Sequence, residues 1–316
     1  MAERVLVTGG AGFIGSHVAE HYLRAGYRVT VLDDLSSGRR ENVPAGAEFV
    51  EADVRSEDAR ALLAEGGFAV LNHHAAQMDV RVSVADPVLD ADQNIMGLLN
   101  LLVGARAGGV RRVVFASSGG VVYGESEDLP HRETAPKLPV SPYGVSKLAS
   151  EYYLAVHAML HGLETVSLRY ANVYGPRQSP HGEAGVVAIF GSRLLKGESL
   201  TVFGDGEQTR DYVFVGDVAA ANVAATTWPV PSVQSLDDLA LNVGTGEETS
   251  VNTLARTLLE VAGGRGEIDH APARPGELQR SAVAWDKARD HFGWRPAVTL
   301  AEGLKQTFDW LAEVAA

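Results

Sequence analysis

The strongest constraint on the fold is the regular alternation of short apolar runs and helical segments through the first half of the chain. Runs that predict strands occur at Arg4–Thr8, Arg28–Leu32, Ala47–Val50, Ala69–Asn72, Val110–Ser117 and Glu164–Arg169. Between the first two runs, Ile14, Val18 and Tyr22 recur at helical spacing. Strand–helix–strand alternation is typical of α/β proteins with a doubly wound parallel sheet, which we therefore expect here.

The pattern changes after about Gly175, where loops rich in Gly, Pro and Asp predominate. We expect residues 1–175 to form a Rossmann-like dinucleotide-binding domain, to which segments around 211–230 and 240–250 return. Residues 176–316 are expected to form mainly a smaller, mixed α/β substrate domain. Helices are predicted at Val251–Ala262 and Thr299–Val314, and Trp228–Leu239 is expected to be linker-like.

Composition excludes several classes of function. The 316 residues include no cysteine, so disulfides and thiol chemistry are ruled out, and no apolar run approaches a membrane span. The N-terminus lacks the features of a signal peptide, and a cytoplasmic location is expected. The formal net charge of −13 disfavours nucleic acid as a partner. Binding of an anionic ligand would require local Arg and Lys residues.

A glycine-rich turn, TGGAGFIG at residues 8–15, lies between the first predicted strand and the first predicted helix. Gly9 permits the tight turn, Gly12 lets the backbone approach a pyrophosphate, and Gly15 lets helix and strand pack closely. The helix N-terminus offers free N–H groups to phosphates. Because the motif has the strand–turn–helix context that dinucleotide binding requires, it predicts a dinucleotide site.

Acidic residues after the second and third strands refine this prediction. Asp33 ends the second strand, where a carboxylate accepts hydrogen bonds from the adenosine ribose and repels a 2′-phosphate. Asp34 reinforces the repulsion, so NAD is expected rather than NADP. The alternative is that Asp33 only starts a turn. Asp53 and Val54 are expected near the adenine.

Tyr143 and Lys147 are four residues apart on a predicted helix, so both point to one face. The free phenol has a pKa of about 10, which a neighbouring ammonium lowers. Ser117 and Ser118 end the fifth strand, at the edge where such sheets bind ligands. The Tyr–Lys spacing alone also fits a solvated helix, but its combination with the serines and the glycine turn favours a proton-transfer site. Counting along the strand selects Ser118, and Ser117 stays open.

In combination these motifs resemble the extended short-chain dehydrogenase/reductase family, and most closely its bacterial UDP-glucose 4-epimerases. Similar segments include TGGAGFIGSH (8–17), VLDDLSSG (31–38), NHHAAQ (72–77), VVFASSGGVVYGE (113–125), SPYGVSK (141–147), LRYANVYGPRQ (168–178) and GDGEQTRDYVFVGDVA (204–219). His74 stands where the family usually has an apolar residue. We expect it to pack at the strand end and expect no metal, because no further ligands cluster nearby.

The resemblance implies roles for the matching positions. Those expected to contact NAD are Gly9, Gly12, Phe13, Ile14, Asp33, Asp34, Ser37, Gly38, Asp53, Val54, His74, Ala75, Ala76, Gln77, Ser117, Tyr143, Lys147 and Tyr170. Those expected to hold a nucleotide sugar are Ser118, Tyr143, Asn172, Val187, Thr201, Phe203, Arg210, Arg274 and Glu277. Arg210 and Arg274 suit a diphosphate, with surface salt bridges as the alternative.

The implied reaction is NAD-dependent inversion of a UDP-hexose at C4 through a 4-keto sugar. In it, Tyr143 acts as the base, Lys147 tunes it, and Ser118 holds or relays the proton at O4. Gly119 and Gly120 stand where dehydratases of the family carry an Asp-Glu pair, which argues against dehydration.

Three further possibilities follow. Arg81 resembles a similarly placed Arg of some glucuronate epimerases and decarboxylases that could meet a sugar carboxylate, so a UDP-glucuronate 4-epimerase is the alternative. The resemblance places Ser281 where a bulky residue limits the sugar pocket in some relatives; a small side chain there would leave room for an N-acetyl group, so UDP-N-acetylglucosamine is expected as an additional substrate. A non-catalytic NAD-binding sensor or scaffold ranks lower, because such relatives usually lose the Tyr or Lys that this chain keeps.

Two predicted helices, Asp92–Arg106 and Tyr143–Leu160, have apolar surfaces broader than the stripe of roughly 100° that packing on a sheet requires. Each is expected to make a second contact, either with a subunit partner or beneath the second domain. The family resemblance implies a homodimer.

Overall fold

In a computed structural model, residues 2–180, 185–264, 266–273 and 278–315 are described. The strands are β1 (Arg4–Thr8), β2 (Arg28–Asp33), β3 (Glu48–Glu51), β4 (Val70–His73), β5 (Arg112–Ser118), β6 (Glu164–Tyr170), β7 (Asn172–Tyr174), β8 (Leu200–Phe203), β9 (Thr209–Arg210), β10 (Tyr212–Phe214), β11 (Ala240–Val243), β12 (Thr249–Ser250) and β13 (Ile268–Ala271). The helices are α1 (Phe13–Arg24), α2 (Glu57–Glu65), α3 (Val80–Ala85), α4 (Pro87–Ala91), α5 (Gly97–Ala107), α6 (Gly119–Val122), α7 (Pro142–His161), α8 (Val186–Leu195), α9 (Val215–Thr227), α10 (Val251–Val261), α11 (Asp286–Phe292) and α12 (Leu300–Ala315).

The main sheet has seven strands in the order β11-β6-β5-β4-β1-β2-β3. All of its pairings are parallel, with Val7 of β1 opposite Val31 of β2 and Asn72 of β4. The strand order reverses direction on either side of β1, which is where doubly wound sheets bind their ligands. The predicted fold class, a Rossmann-like α/β sheet, is therefore confirmed.

Helices cover both faces of the sheet, which is why its central strands read as continuous apolar runs. Alternate residues of β1 point to opposite faces: Val5 and Val7 pack in one core with Val18 of α1, and Leu6 packs in another with Leu63 of α2. Because the side-chain period of a strand is two, a short buried run supplies both cores at once.

The second half of the chain contributes to the main sheet as well as forming its own core. β11 extends the sheet beyond β6, and α9 packs against α1. The remaining elements, mainly α8, β8, α10 and α12, enclose a third apolar core that includes Phe190, Val202 and Leu254. No described helix is both long enough and apolar enough to cross a membrane.

Two segments differ from the sequence-based prediction. Trp228–Leu239 begins with a buried tryptophan, which packs edge to face on Phe292 of α11, and ends in a short 3-10 helix at Leu236–Leu239. It is thus anchored to the fold at both ends, contrary to a linker. The predicted helix Asp92–Arg106 is divided into a π-helical turn at Asp92–Met96 and α5.

Candidate functional site

A groove lies along the carboxyl edge of β1, β2, β3 and β4. Its lining consists of Gly9, Asp33, Asp34, Ser36, Ser37, Ala52, Asp53, Val54, Arg55, Ala75, Ala76, Gln77 and Gln93. Nine of the residues predicted to contact NAD are therefore brought together from four different strand ends.

The glycine turn forms the floor of this groove in a conformation that side chains would block. Gly9 has a φ of +66°, and a Cβ there would lie 2.6 Å from the amide nitrogen of Ala75. A Cβ on Gly15 would lie 2.2 Å from the carbonyl oxygen of Gly9, and one on Gly12 would lie 3.2 Å from it. These glycines keep the backbone bare at the start of α1, which is the geometry that admits a pyrophosphate.

Asp33 lies at the end of β2 and anchors the loop that follows. Its Oδ2 accepts a hydrogen bond from the Ala11 amide at 3.0 Å, and its Oδ1 accepts one from the Leu35 amide at 2.9 Å. Burial raises the pKa of this carboxyl, although both hydrogen bonds oppose the shift. A Cβ on Gly38 would come within 2.7 Å of Oδ1, so Gly38 leaves the carboxylate room. Asp33 thus both stabilises the turn after β2 and lines the groove.

Asp53 lines the groove with its carboxylate already engaged. The Nε of Arg55 is 3.0 Å from both carboxylate oxygens of Asp53, and this contact holds the pKa of Asp53 below its usual range. Arg55 also contacts Asp92 at 2.5 Å. Arg55 was not identified from the sequence, and at the predicted adenine end of the groove its charge is opposed by the carboxylates of Asp53 and Asp92.

Tyr143 and Lys147 lie in the first turns of α7. Ser141 caps the helix by accepting a hydrogen bond from the Gly144 amide at 3.2 Å, and Pro142 occupies the first turn, where its missing N–H costs nothing. The Lys147 ammonium is buried, donates to the Ala116 carbonyl at 2.8 Å, and lies 5.7 Å from the centre of the Tyr143 ring. Burial lowers the pKa of Lys147 to about 8. The Lys147 ammonium and the Tyr143 ring therefore lie near each other beside the end of β5.

The two serines at the end of β5 have different surroundings. Ser117 is buried, and its hydroxyl donates to Glu151 at 2.5 Å; Glu151 is in turn paired with buried Arg169 at 2.6 Å. Ser118 is partly exposed, and a Cβ on Gly120 would lie 3.8 Å from its Oγ and 3.9 Å from the Oδ1 of Asn172. Since the Ser117 hydroxyl is taken up by Glu151, the geometry does not support a cofactor contact or a proton-transfer role for that side chain.

His74 and Tyr170 are packed together beyond the end of β4. Their rings stack with centroids 6.0 Å apart, and the Nε2 of His74 is 3.1 Å from the Tyr170 hydroxyl, which also accepts from Asn222 at 2.8 Å. Neighbouring His73 contacts the Thr8 hydroxyl at 2.7 Å. Burial lowers the pKa of both histidines to about 3, so they are neutral packing residues. Among the described residues no group of three or more His, Asp or Glu side chains is placed to hold a metal.

The residues predicted to hold a nucleotide sugar lie mostly in the second half of the chain. Asn172 begins β7, Val187 is buried in α8, Thr201 and Phe203 lie in β8, and Arg210 lies in β9, where its guanidinium donates to the Thr209 carbonyl at 2.7 Å. Phe13 and Ile14 of α1 pack against the same core as Val187, which joins this half to the glycine turn. Arg274 and Glu277 lie outside the described residues.

Sequence reasoning missed Asp211, the neighbour of Arg210. Its buried carboxylate accepts hydrogen bonds from the Thr245 hydroxyl at 2.6 Å and from the amides of Thr245, Gly246 and Val283 at 2.8, 3.0 and 3.3 Å. It therefore fixes the loop after β11 beside β9. The only sequence signal was an acidic residue next to a proposed phosphate-binding arginine.

Comparisons with known proteins agree with this geometry. The model of the NAD dependent epimerase/dehydratase family matches residues 5–244. A putative UDP-glucose 4-epimerase from Methanocaldococcus jannaschii is 45% identical over 307 residues, which cover 97% of this chain and 98% of the relative.

Two solved structures are similarly close. The UDP-glucose 4-epimerase of Thermotoga maritima, solved with UDP-glucose, has a TM-score of 0.94 and 43% identity, covering 99% of this chain and all of that one. The UDP-glucose 4-epimerase of Thermus thermophilus, solved with NAD, has a TM-score of 0.88 and 48% identity, with 98% of each chain covered. The family predicted from the motifs is confirmed: this chain belongs to the NAD dependent epimerase/dehydratase family.

Proposed function

We propose that this chain is an NAD-dependent 4-epimerase of UDP-hexoses, which interconverts UDP-glucose and UDP-galactose through a 4-keto sugar. The observation that carries the proposal is the buried Lys147 ammonium beside the Tyr143 ring, next to the end of the strand that bears Ser118. The relatives named UDP-glucose 4-epimerase, which match the chain over nearly its full length, support the same activity.

The groove fits NAD by two of its features. The bare backbone at Gly9, Gly12 and Gly15 provides the approach that a pyrophosphate needs, and Asp33 with Asp34 places carboxylates where an additional ribose phosphate would be repelled. When bound, NAD supplies a reversible acceptor for the hydrogen on sugar C4. Asp33, Ser37, Ala75, Ala76 and Gln77 would line the bound cofactor.

Proton transfer is assigned to the chain's own residues. Lys147 stabilises the phenolate form of Tyr143, because an opposite charge nearby favours the ionised form. Tyr143 then removes the proton from the sugar 4-hydroxyl and returns it in the second half of the reaction. Ser118, at the end of β5, is assigned to hold O4. Asn172 is assigned to the substrate, since its Oδ1 and the Ser118 hydroxyl both lie near Gly120.

The diphosphate and nucleoside are assigned to the second half of the chain. Arg210 and Arg274 would pair with the diphosphate, with Val187, Thr201, Phe203 and Glu277 around the nucleoside. Arg210 contributes a guanidinium, and its backbone is held by the pairing of β9 with β12. Ser281 is small and buried. We therefore keep the prediction that UDP-N-acetylglucosamine is also accepted.

The alternative substrate, UDP-glucuronate, gains no support from Arg81. This residue lies on α3 with an exposed side chain and pairs with Asp79 at 3.1 Å. Its charge is therefore already opposed by a carboxylate at the surface. A non-catalytic NAD sensor would not need the buried Lys147 beside Tyr143, since burying an ammonium is costly.

A homodimer and a cytoplasmic location stay predictions. The dimer is supported by exposed apolar side chains on one stripe of α7, namely Val145, Tyr152, Val156 and Met159, and by exposed Met96, just before α5, and Val103 in the second half of α5. Of the two contacts expected from the broad apolar helices, this exposure favours the subunit partner over burial within the chain.

The activity test compares the purified chain with its Tyr143→Phe variant on a panel of UDP-, GDP- and dTDP-sugars. We expect UDP-glucose and UDP-galactose to interconvert, and the variant to lose roughly 10²–10⁴-fold in kcat because its base is gone. NAD affinity by calorimetry should be unchanged. Tyr153→Phe, an exposed tyrosine on the same helix, is the matched control. Full activity in Tyr143→Phe would refute the assignment, and no turnover of UDP-N-acetylglucosamine would refute the broader specificity.

A further inference from the structure

A buried polar cluster behind the groove connects three separate elements through one carboxylate. Asp90 of α4 is fully buried. Its Oδ2 accepts a hydrogen bond from the Ser146 hydroxyl at 2.5 Å, and its Oδ1 accepts from the side-chain amides of Asn94 and Gln77, each at 3.0 Å. Three donors around a solvent-inaccessible carboxyl suit the ionised, acceptor-only form.

On the groove side, Asp90 acts together with Asn94 of the π-helical turn. The Nδ2 of Asn94 donates to the Gln77 carbonyl at 2.9 Å, and its Oδ1 accepts from the Gln77 amide at 2.9 Å. Both backbone polar groups and the side chain of Gln77 are thereby fixed, and Gln77 lines the groove. π-Helical turns are frequent at functional sites, because they reorient side chains within a helix.

On the opposite side, Asp90 reaches α7 at Ser146, the residue before Lys147. The charges of Asp90 and Glu151 favour the protonated form of Lys147, whereas burial opposes it. Glu151 is neutralised by Arg169 at 2.6 Å, whereas no ion pair to Asp90 is found among the described residues, so the charge of Asp90 acts on Lys147 without direct contact. The other titratable groups near the ammonium are Tyr143 and the uncharged His73 and His74. Of the two carboxylates that act on Lys147, Asp90 is therefore the one without a cationic partner of its own.

We propose that Asp90 is a positioning residue that fixes the Gln77 loop of the groove against α7 and supplies the negative charge that keeps Lys147 an ammonium. The consequence for turnover rests on the proposed function, because it acts through Lys147 on Tyr143. Fixing of the Gln77 loop and the supply of charge to Lys147 do not rest on the proposed function. Each of these two roles has a measurement that needs no sugar substrate.

The charge is isolated by Asp90→Asn. An asparagine offers its oxygen to Asn94 and Gln77 and its amide to the Ser146 hydroxyl, so every hydrogen bond is kept while the charge is lost. The chain has only five lysines, so Lys147 is accessible to ¹³C NMR titration of lysine Cε signals, with assignment by Lys147→Arg. We expect the Lys147 pKa, about 8 in the unmodified chain, to fall by about one unit or more.

The hydrogen bonds are isolated by Asp90→Leu, which leaves the amides of Asn94 and Gln77 without their acceptor. NAD affinity measured by calorimetry should fall roughly tenfold or more in this variant and stay within about threefold in Asp90→Asn. Asp86→Asn is the control: Asp86 caps the same helix at the Leu89 amide from an exposed position, and asparagine caps equally well. It should alter neither measurement.

An unchanged Lys147 titration in Asp90→Asn would overturn the counter-charge role, and unchanged NAD affinity in Asp90→Leu would overturn the positioning role. If Asp90→Leu does not fold, Ser146→Ala replaces it, because it detaches α7 from Asp90 and leaves the carboxylate in place. NAD affinity should then fall while the lysine titration keeps its midpoint. If the chain failed to convert UDP-sugars, the Lys147 titration and the NAD affinity would still test Asp90. The proposed role of Asp90 and the proposed epimerase activity can therefore fail separately.

Discussion

At the scale of single residues, two neighbouring histidines at the end of β4 make the chain sensitive to acid. His73 is buried against Phe115, and the Nδ1 of His74 is buried without a hydrogen-bond partner, although the residue as a whole is partly exposed. Burial lowers both pKa values from 6.5 to about 3. Between these values the unfolded chain binds protons that the native chain does not, so the part of the stability that is linked to these histidines is fully present above pH 6.5 and is lost as the pH falls towards 3.

His74→Leu should weaken this dependence, because leucine restores the apolar type usual at this position and removes one titrating group. Over the fall from pH 6.5 to pH 4, the variant should lose roughly 2 kcal/mol less unfolding free energy than the parent chain, after allowance for the partly exposed ring. Urea denaturation at a series of pH values measures the difference. His270→Leu, at an exposed site, is the control. Parallel pH curves for parent and His74→Leu would contradict the prediction.

Local spacing made the reactive residues predictable, whereas their supports were not. Tyr143 and Lys147 are one helical turn apart, and Ser118 follows a recognisable strand, so their proximity could be inferred from short segments. Glu151 and Arg169 are separated by 18 residues, and Asp90 and Ser146 by 56. No local pattern brings such pairs together, because their contact depends on the order of strands in the sheet. The same dependence hid the role of Asp211.

At the scale of elements, the first turn between strand and helix is held by backbone contacts rather than side chains. Gly15 of α1 approaches the Gly9 carbonyl so closely that even a methyl group has no room. The prediction of this turn was accurate because glycine spacing and the flanking periods are all local. Boundaries of the flanking elements also agreed to within a residue or two. The π-helical turn at Asp92–Met96 was not foreseen, since apolar periodicity does not report the amide network around Asn94.

Substitution in this turn should separate stability from cofactor binding. Gly15→Ala places a Cβ 2.2 Å from the Gly9 carbonyl, so unfolding free energy should fall by about 1–3 kcal/mol and NAD binding should be lost. In Gly12→Ala the same contact is 3.2 Å, so the stability loss should be smaller while the Cβ still obstructs the pyrophosphate. Denaturant titration and calorimetry with NAD test both. Normal NAD affinity in Gly12→Ala would show that the phosphates bind elsewhere.

At the scale of the whole molecule, the exposed stripe on α7 lies apart from the groove lining. Monomeric proteins seldom expose a contiguous apolar patch of this kind without using it. Its pattern was visible in the sequence as a helix with too broad an apolar surface, but the sequence did not distinguish a partner subunit from the second half of the chain. The structure leaves Tyr152, Val156 and Met159 exposed.

Met159→Glu should therefore convert the proposed dimer into a monomer, because a buried unpaired charge at a subunit interface is costly. Its side chain is 60% exposed in the isolated chain, so folding itself should be unaffected. Light scattering after size-exclusion chromatography measures the mass. Val314→Glu, at an equally exposed apolar position on α12, is the control. A parent chain that is already monomeric would refute the dimer.

The return of the second half to the main sheet also bears on how the protein is made. β6 remains an uncovered edge until β11, at Ala240–Val243, pairs with it, and α1 lacks its neighbour until α9 has formed. A nascent chain halted near residue 175 would therefore expose the unpaired edge of β6 and the apolar face of α1. The glycine turn and strands β1 to β6 are therefore made first, and the strand and helix that complete their packing are made last, so removal of the second half would leave the β6 edge and one side of α1 uncovered.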